Sequence, residues 1–223
     1  MNFQFEWHYV INNWNLLLDG LGITLYVSII SMALALILGL LIALLRMSRL
    51  ALLRLPAQLY INIFRAIPLF VFIIWLYYGL PIVLGFNFAP ITAGVLCLTI
   101  QYSSWMAEIY RSGIGAINRG QREAAASLGL TSLQTFIDVI FPQAVRIIIP
   151  PTGNMFVGML KDSSLIGIIG VLELVRQTQL LVSRTFRPFE LYTTIAIIYI
   201  LLTILLSHGV NTLERRQHLS AQT

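Results

Sequence analysis

The sequence predicts an all-α, polytopic membrane protein with five transmembrane helices. Two observations predict it: 58% of the 223 residues are hydrophobic and only 10% are charged, with a mean hydropathy of +0.84, well outside the range of ordinary soluble domains. A third is length, because a bilayer core of ~30 Å needs about 20 apolar residues per helix and several stretches of the chain reach that. The beginning, MNFQFEWHYVINNWNLLLDG, has neither Lys nor Arg nor an apolar run, so it lacks the basic end of a secretory signal. The first hydrophobic segment is expected to be retained.

The first span is placed at about Gly20 to Leu45, where Ser31, Ala35, Gly39 and Ala43 recur every fourth residue and line one face with small side chains. Such a face suits close helix packing in lipid. The second, about Leu59 to Leu80, contains Pro68, whose ring clashes with the Phe64 carbonyl and predicts a kink. The third, about Ile91 to Ile109, carries Gln101, Ser103 and Ser104 near its middle and Glu108 near its end. The fourth, about Ile147 to Ile169, contains Pro150, Pro151, Gly153, Gly158, Lys161 and Asp162, so a simple apolar rod is excluded. The fifth runs from about Tyr192 to Val210. The domain reading is an outer N-terminal segment over 1–19, a membrane domain over 20–210 with a cytoplasmic loop at about 112–142, and a cytoplasmic tail over 211–223.

Orientation follows from the 14 Lys and Arg residues. Arg46, Arg49, Arg54, Arg111, Arg119, Arg122, Arg146, Arg215 and Arg216 fall on one side of this topology. The other side holds Arg176, Arg184 and Arg187, and Arg65 and Lys161 lie within spans. The positive-inside bias puts the N-terminus outside and the C-terminus in the cytoplasm. The net charge of +5 is accounted for by this bias and by anionic lipid, without a nucleic-acid partner.

Catalytic and metal motifs are missing from the sequence. Cys97 is the only cysteine, and His8, His208 and His218 are scattered, which excludes an internal disulfide, a thiolate cluster or a local metal motif. A phosphate-binding loop needs Gly-Lys-Ser/Thr, yet the only lysine, Lys161, follows Leu160 and precedes Asp162. Transport powered by ATP therefore requires the ATPase on another subunit. Ion-coupled transport or conduction instead needs intramembrane ionisable residues, for which Lys161, Asp162 and Glu108 are candidates. A membrane anchor for a complex is a further alternative. The Glu108 and Arg111 spacing also fits a local helical ion pair, and Arg65 fits a partner carboxylate or the carbonyls freed at the Pro68 kink.

The stretch REAAASLGLTSLQTFIDVIFP, residues 122–142, concentrates charge and small residues on the expected cytoplasmic side. Glu123, Ala124, Ala125 and Ala126 favour helix, and Gly129 can stop it in a left-handed cap. Thr131 can cap a second helix, with Leu133, Phe136, Ile137 and Ile140 on one face and an end near Pro142. By spacing alone this is an interfacial helix hairpin or a docking element. VLELVRQTQLLVSRTFRPFE has apolar and polar residues at roughly helical spacing, which predicts an outer interfacial helix able to touch a partner.

The loop resembles the EAA loop of ATP-binding cassette (ABC) importer permeases: Glu-Ala-Ala, three residues, Gly, nine residues, Ile, one residue, Leu-Pro. Glu123, Ala124, Ala125, Gly129 and Pro142 match, and Val139 and Phe141 occupy the aliphatic positions. GLGITLYVSIIS, INIFRAIPLFVFIIWLYYGLP, SSWMAEIYRSGIGAINRGQREAAASLGL, FPQAVRIIIPPTGN, LKDSSLIGIIGVLEL and TFRPFELY are similar to the permeases of polar amino acid uptake importers, in order, from about Leu18 to Arg216. Ala66 departs from that family's usual glycine. The resemblance implies a five-span permease of the type I importer fold in a bacterial plasma membrane. It would pair with an identical or homologous second permease, with two ATPase subunits carrying ATP and Mg, and with a periplasmic or lipid-anchored binding protein. It implies no catalysis by this chain and a coupling helix at the loop. A zwitterionic amino acid would present a carboxylate and an ammonium, which Lys161 and Asp162 could meet, with the Ser163 and Ser164 hydroxyls adding hydrogen bonds.

Overall fold

A computed structural model describes residues 5–219; the first four residues of the expected N-terminal segment and the last four of the expected tail lie outside the described residues. Every regular element among them is helical. A short α1 (His8–Asn12) precedes α2 (Trp14–Met47), which begins six residues before the expected first span. There follow α3 (Ala51–Ala66), α4 (Leu69–Ile74), α5 (Leu80–Leu84), α6 (Pro90–Gly115), α7 (Arg119–Ser127), α8 (Ser132–Gln134), α9 (Phe141–Asp162), α10 (Leu174–Thr185) and α11 (Pro188–Leu219).

Proline decides the irregularities. The kink expected at Pro68 is a full break: α3 ends at Ala66, α4 starts at Leu69, and the chain bends by 106° between them. The chain leaves the helix after Ala66, before the ring, as the restriction on a residue preceding proline favours, so no helical turn sets the ring against the Phe64 carbonyl; Pro68 itself is extended, φ −59° and ψ 132°, and opens α4. Two π-helical segments, Trp75–Gly79 and Thr135–Ile140, end just before Pro81 and Pro142. The extra residue in a π turn moves a carbonyl out of the path of the coming ring. The helix after Thr131 therefore does not end near Pro142; it continues into α9. The fourth span also differs from expectation, staying α-helical through Pro150 and Pro151 and tightening to a 3-10 helix only over Ser163–Ile169, with Gly170 at φ +90° as its stop.

By length and composition, Trp14–Met47, Ser132–Ile169 and Pro188–Val210 are apolar enough to cross a membrane, and Ala51–Ala66 with Leu69–Leu84 makes a fourth if the bent pair is one crossing. α6 is long enough and more polar. The polar residues near its middle are buried: Gln101, Ser103 and Ser104 are at most 8% exposed.

The chain divides into two compact units. The first comprises Met1–Ala33, Ile67–Thr99 and Phe156–Leu206. Its core joins Val10 and Leu17 to Leu174 and Leu181 of α10 and Leu191 and Ile195 of α11. Within it the small-residue face of α2 packs as expected: Ser31 is fully buried and bonds the Val95 carbonyl at 3.4 Å, while Thr99 donates to the Ser31 carbonyl at 3.5 Å.

The second unit comprises Leu34–Ala66, Ile100–Met155 and Ser207–Thr223. The same α2 face continues here with Gly39, where an added Cβ would stand 2.6 Å from Met106 Cβ and 3.0 Å from the Ser103 carbonyl oxygen. Ile42, Ala43, Ala57, Ile61 and Ala107 form one core. Ile114, Ile117, Ile140 and Ala144 form another beneath the loop.

Candidate functional site

The loop of residues 116–142 folds by local rules. Asn118 caps α7, its side chain accepting from the Gly120 N–H at 2.9 Å. At the other end Gly129 takes φ +77°, and the Leu130 and Gly129 N–H groups donate to the Ala125 and Ala126 carbonyls at 3.1 and 3.0 Å. These are the paired bonds of a Schellman stop, which satisfies the last carbonyls of the helix. Thr131 then opens α8 with a capping box: its hydroxyl accepts from Gln134 N–H at 3.3 Å, and Gln134 Oε1 accepts from Thr131 N–H at 2.9 Å. The left-handed stop and the Thr131 cap are thus where the sequence puts them.

The loop's surface differs in detail from the sequence reading. Glu123 and Ala124 face outward, but Ala125 is buried, 3% exposed. Among the large apolar side chains of the loop, Leu128, 82% exposed, and Leu133, 68% exposed, stand out most. Their only sequence signal is an apolar residue on each side of a turn, which is common. Pro142 lies on the exposed side of the first turn of α9. A cleft of about 400 Å³ opens between Met47, Arg122, Ala126, Leu130, Phe136 and Ile140. Gly113 approaches α9 so closely that a Cβ there would meet Ile148 at 2.4 Å. Together with the core of Ile114, Ile117, Ile140 and Ala144, this joins the loop to the adjoining ends of α6 and α9. A displacement of the loop would carry those helix ends with it, because close-packed cores transmit displacement.

The candidate path residues lie in the first unit, where α9 changes helix type. Lys161 is exposed and Asp162 half-buried, at the end of α9; Ser163 is buried and Ser164 half-buried, at the start of the 3-10 turn. Ser163 Oγ donates to the Leu160 carbonyl at 2.8 Å and Ser164 Oγ to the Lys161 carbonyl at 2.7 Å. With its proton engaged, the half-buried Ser164 hydroxyl offers lone pairs to a ligand, whereas Ser163, expected beside it on the path, is enclosed by protein at 0% exposure and offers none.

Two other charged positions resolve as local contacts. Arg111 pairs with Glu108 at 2.7 Å, the i,i+3 ion pair allowed by their spacing. Arg65 stacks its guanidinium 4.3 Å above the Trp105 ring, a cation–π contact, and among the described residues it forms no ion pair within 4 Å, though its charge also attracts the Glu108 carboxylate, after the nearer Arg111.

Sequence reasoning overlooked Glu173. Its carboxylate, in a fully buried residue, accepts from the Val175 and Arg176 N–H groups at 2.7 and 2.8 Å, and the Leu174 N–H donates to Thr24 Oγ1 of α2 at 3.2 Å. Every free N–H in the first turn of α10 at 174–176 is thereby satisfied by a side chain. Burial pushes the Glu173 carboxyl up to about 7, against the opposing pull of those two donors and of Arg176. Gly20 and Gly167 make room: a Cβ on Gly20 would stand 2.9 Å from Leu174 Cα, and one on Gly167 2.6 Å from Glu173 Oε1. Glutamate is not a preferred cap, and the contacts that bury it come from residues distant in sequence.

Known proteins resemble this chain over most of its length. The chain is 37% identical over 217 residues to the probable amino-acid ABC transporter permease protein YckA of Bacillus subtilis (strain 168), covering 95% of this chain and 96% of that protein. It is 35% identical over 216 residues to the glutamine transport system permease protein GlnP of Escherichia coli (strain K12), covering 96% and 98%. The fold superposes with a TM-score of 0.91 and 38% identity on a chain of an amino acid ABC transporter solved with histidines, covering 96% of this chain and all of that one. Residues 35–218 match the family described as the binding-protein-dependent transport system inner membrane component. With most of its length matched, and with a helical loop built around Glu123 and Gly129 at its expected place, this chain belongs to that family.

Proposed function

We propose that the chain is the permease that carries a polar amino acid or a similar small zwitterion through an ABC importer of the bacterial plasma membrane. The names of its relatives support an amino acid substrate. The observation that carries the coupling role is the loop: a short helix, a Schellman stop and a capping box hold Glu123, Ala124 and Leu128 outward on a base fixed to α6 and α9. We read 1–19 as an outer segment, 20–210 as the membrane domain, and 211–223 as a cytoplasmic tail. α6 completes five crossings, the polar residues near its middle being turned into protein.

In this mechanism two ATPase subunits hold ATP and Mg, and closure of their dimer pushes on the loop. The loop moves as a rigid body, and α6 and α9 tilt with it. A second permease, identical or homologous, supplies the other half of the path, and an external binding protein delivers the solute. Lys161 would face the solute carboxylate and Asp162 its ammonium, with the Ser164 lone pairs as a further acceptor for the ammonium. Adjacent residues point ~100° apart on an α-helix and ~120° apart on a 3-10 helix, so the two would reach one solute only if the helix opens at the end of α9 or if one of them acts from the partner permease. Substrate-dependent hydrolysis tests the reading: vesicles carrying the complex should hydrolyse ATP faster with solute-loaded binding protein inside the assay than without it. An ion-gradient-driven uptake that is indifferent to ATP would overturn it.

A further inference from the structure

Phe186 is the only non-glycine residue among those described with positive φ, at φ 56° and ψ 33°, and it ends α10 in left-handed backbone. Glycine or asparagine would make this stop without strain. The side chain gains no burial in return, being 83% exposed. The backbone around it is nevertheless firmly held. The Phe186 N–H donates to the Val182 carbonyl at 2.8 Å, and Pro188 fixes the start of α11 two residues later. Between them Arg187 pairs with Glu6 at 2.7 Å and lies 5.8 Å over the Tyr9 ring. The Glu6 N–H donates to Glu190 Oε1 at 3.0 Å, and the Phe5 and Phe189 rings are 5.1 Å apart.

A second observation points the same way. In the proposed topology Arg176, Arg184 and Arg187 stand on the side that charge bias leaves poor in arginine. Arg187 is matched by Glu6, whereas Arg184 is exposed in the last turn of α10, two residues before Phe186. An exposed aromatic and an arginine on a fixed backbone are the residue types that dominate protein interfaces. Fluid lipid would reward an apolar side chain without requiring its backbone to be held in one direction.

We propose that the corner between α10 and α11, with Phe186 at its tip and Arg184 beside it in sequence, is a contact on which the solute-binding protein docks. The occupant would be a soluble protein presenting an apolar pocket with acidic residues at its edge. This rests on the importer reading above, which places the corner outside and takes the partner from the family's dependence on a binding protein.

The test places p-benzoylphenylalanine at position 186 of the complete transporter in cells and irradiates it, with position 128 in the loop as control. Position 186 should give a product of this chain joined to a soluble protein that itself binds solute when purified, and Arg184→Glu should reduce its yield about tenfold. A lipid adduct, a product with another membrane subunit, or no product while position 128 yields an ATPase adduct would overturn the docking proposal alone. Absence of an ATPase adduct at position 128 would overturn the importer reading, and the docking proposal with it. Phe186→Gly supplies a second readout in the purified complex. The binding-protein concentration for half-maximal ATPase stimulation should rise about tenfold, while the thermal midpoint rises because backbone strain is relieved. An unchanged half-maximal concentration would overturn the proposal even if the midpoint rises.

Discussion

Replacing Gly129 by alanine changes one thing in the loop. A Cβ at this position meets no atom within 4 Å, yet φ is +77°, so the cost is that of left-handed backbone without any clash. That cost is about 1–2 kcal/mol for an L-residue, which shifts the balance between the formed and unformed stop roughly 5- to 30-fold. Asparagine tolerates the left-handed region far better. Gly129→Ala should therefore lower solute-stimulated ATPase and uptake in vesicles, at normal membrane insertion, while Gly129→Asn should retain most of both. Gly129→Asp adds a negative charge to the docking surface and should abolish uptake. The two neutral variants separate backbone from bulk, because asparagine is the larger side chain. If Gly129→Asn were as impaired as Gly129→Ala, or more so, the glycine would be kept for close approach of a partner, and the argument from the turn would be wrong.

Glu123→Lys reverses charge at an exposed position of α7 and should leave the chain inserted but abolish solute-stimulated transport; full uptake at normal expression would refute the docking role. Lys161→Met and Asp162→Asn should each reduce uptake rate or alter selectivity in membranes where ATPase assembly is verified, and unchanged kinetics in both would leave these residues a structural role only. Glu173 gives a pH dependence whose sign follows from its burial. Its folded value is raised from 4.5 to about 7, so the ionised form is the disfavoured one: the stabilisation is fully present below the unfolded value and is lost as pH rises through about 7. The loss is on the order of 3 kcal/mol at most. Thermal midpoints in detergent should fall between pH 5 and pH 8, and Glu173→Gln should flatten that slope; an equal slope in the variant would assign the effect to another group.

The legible parts of this protein are those encoded within a few residues. The stop at Gly129 and the cap at Thr131 could be read in advance because each is a contest among neighbouring backbone groups, settled by the residue that tolerates left-handed backbone or supplies a hydroxyl. The small-residue face of α2 was legible for a similar reason: a period of four on a helix points one way whatever it meets. The sequence also located its long apolar helices from hydropathy, since the backbone of a lipid-immersed segment must satisfy its hydrogen bonds internally.

Tertiary structure decided the rest. A proline removes one helical hydrogen bond wherever it occurs, but Pro68 breaks the helix, Pro81 and Pro142 follow π turns, and Pro150 and Pro151 are absorbed in α9. These outcomes are close in local energy, so contacts from elsewhere select among them. Ala125 carries the same local signal as Ala124, yet only the packing of the loop turns it inward. Glu173 is the extreme case. Nothing in its own segment calls for a buried carboxylate, and its place depends on space left by Gly20 and Gly167 and on a hydroxyl from Thr24. Burying a charge is a cost that local sequence cannot offset, so its position becomes readable only when the distant groups that surround it are in place.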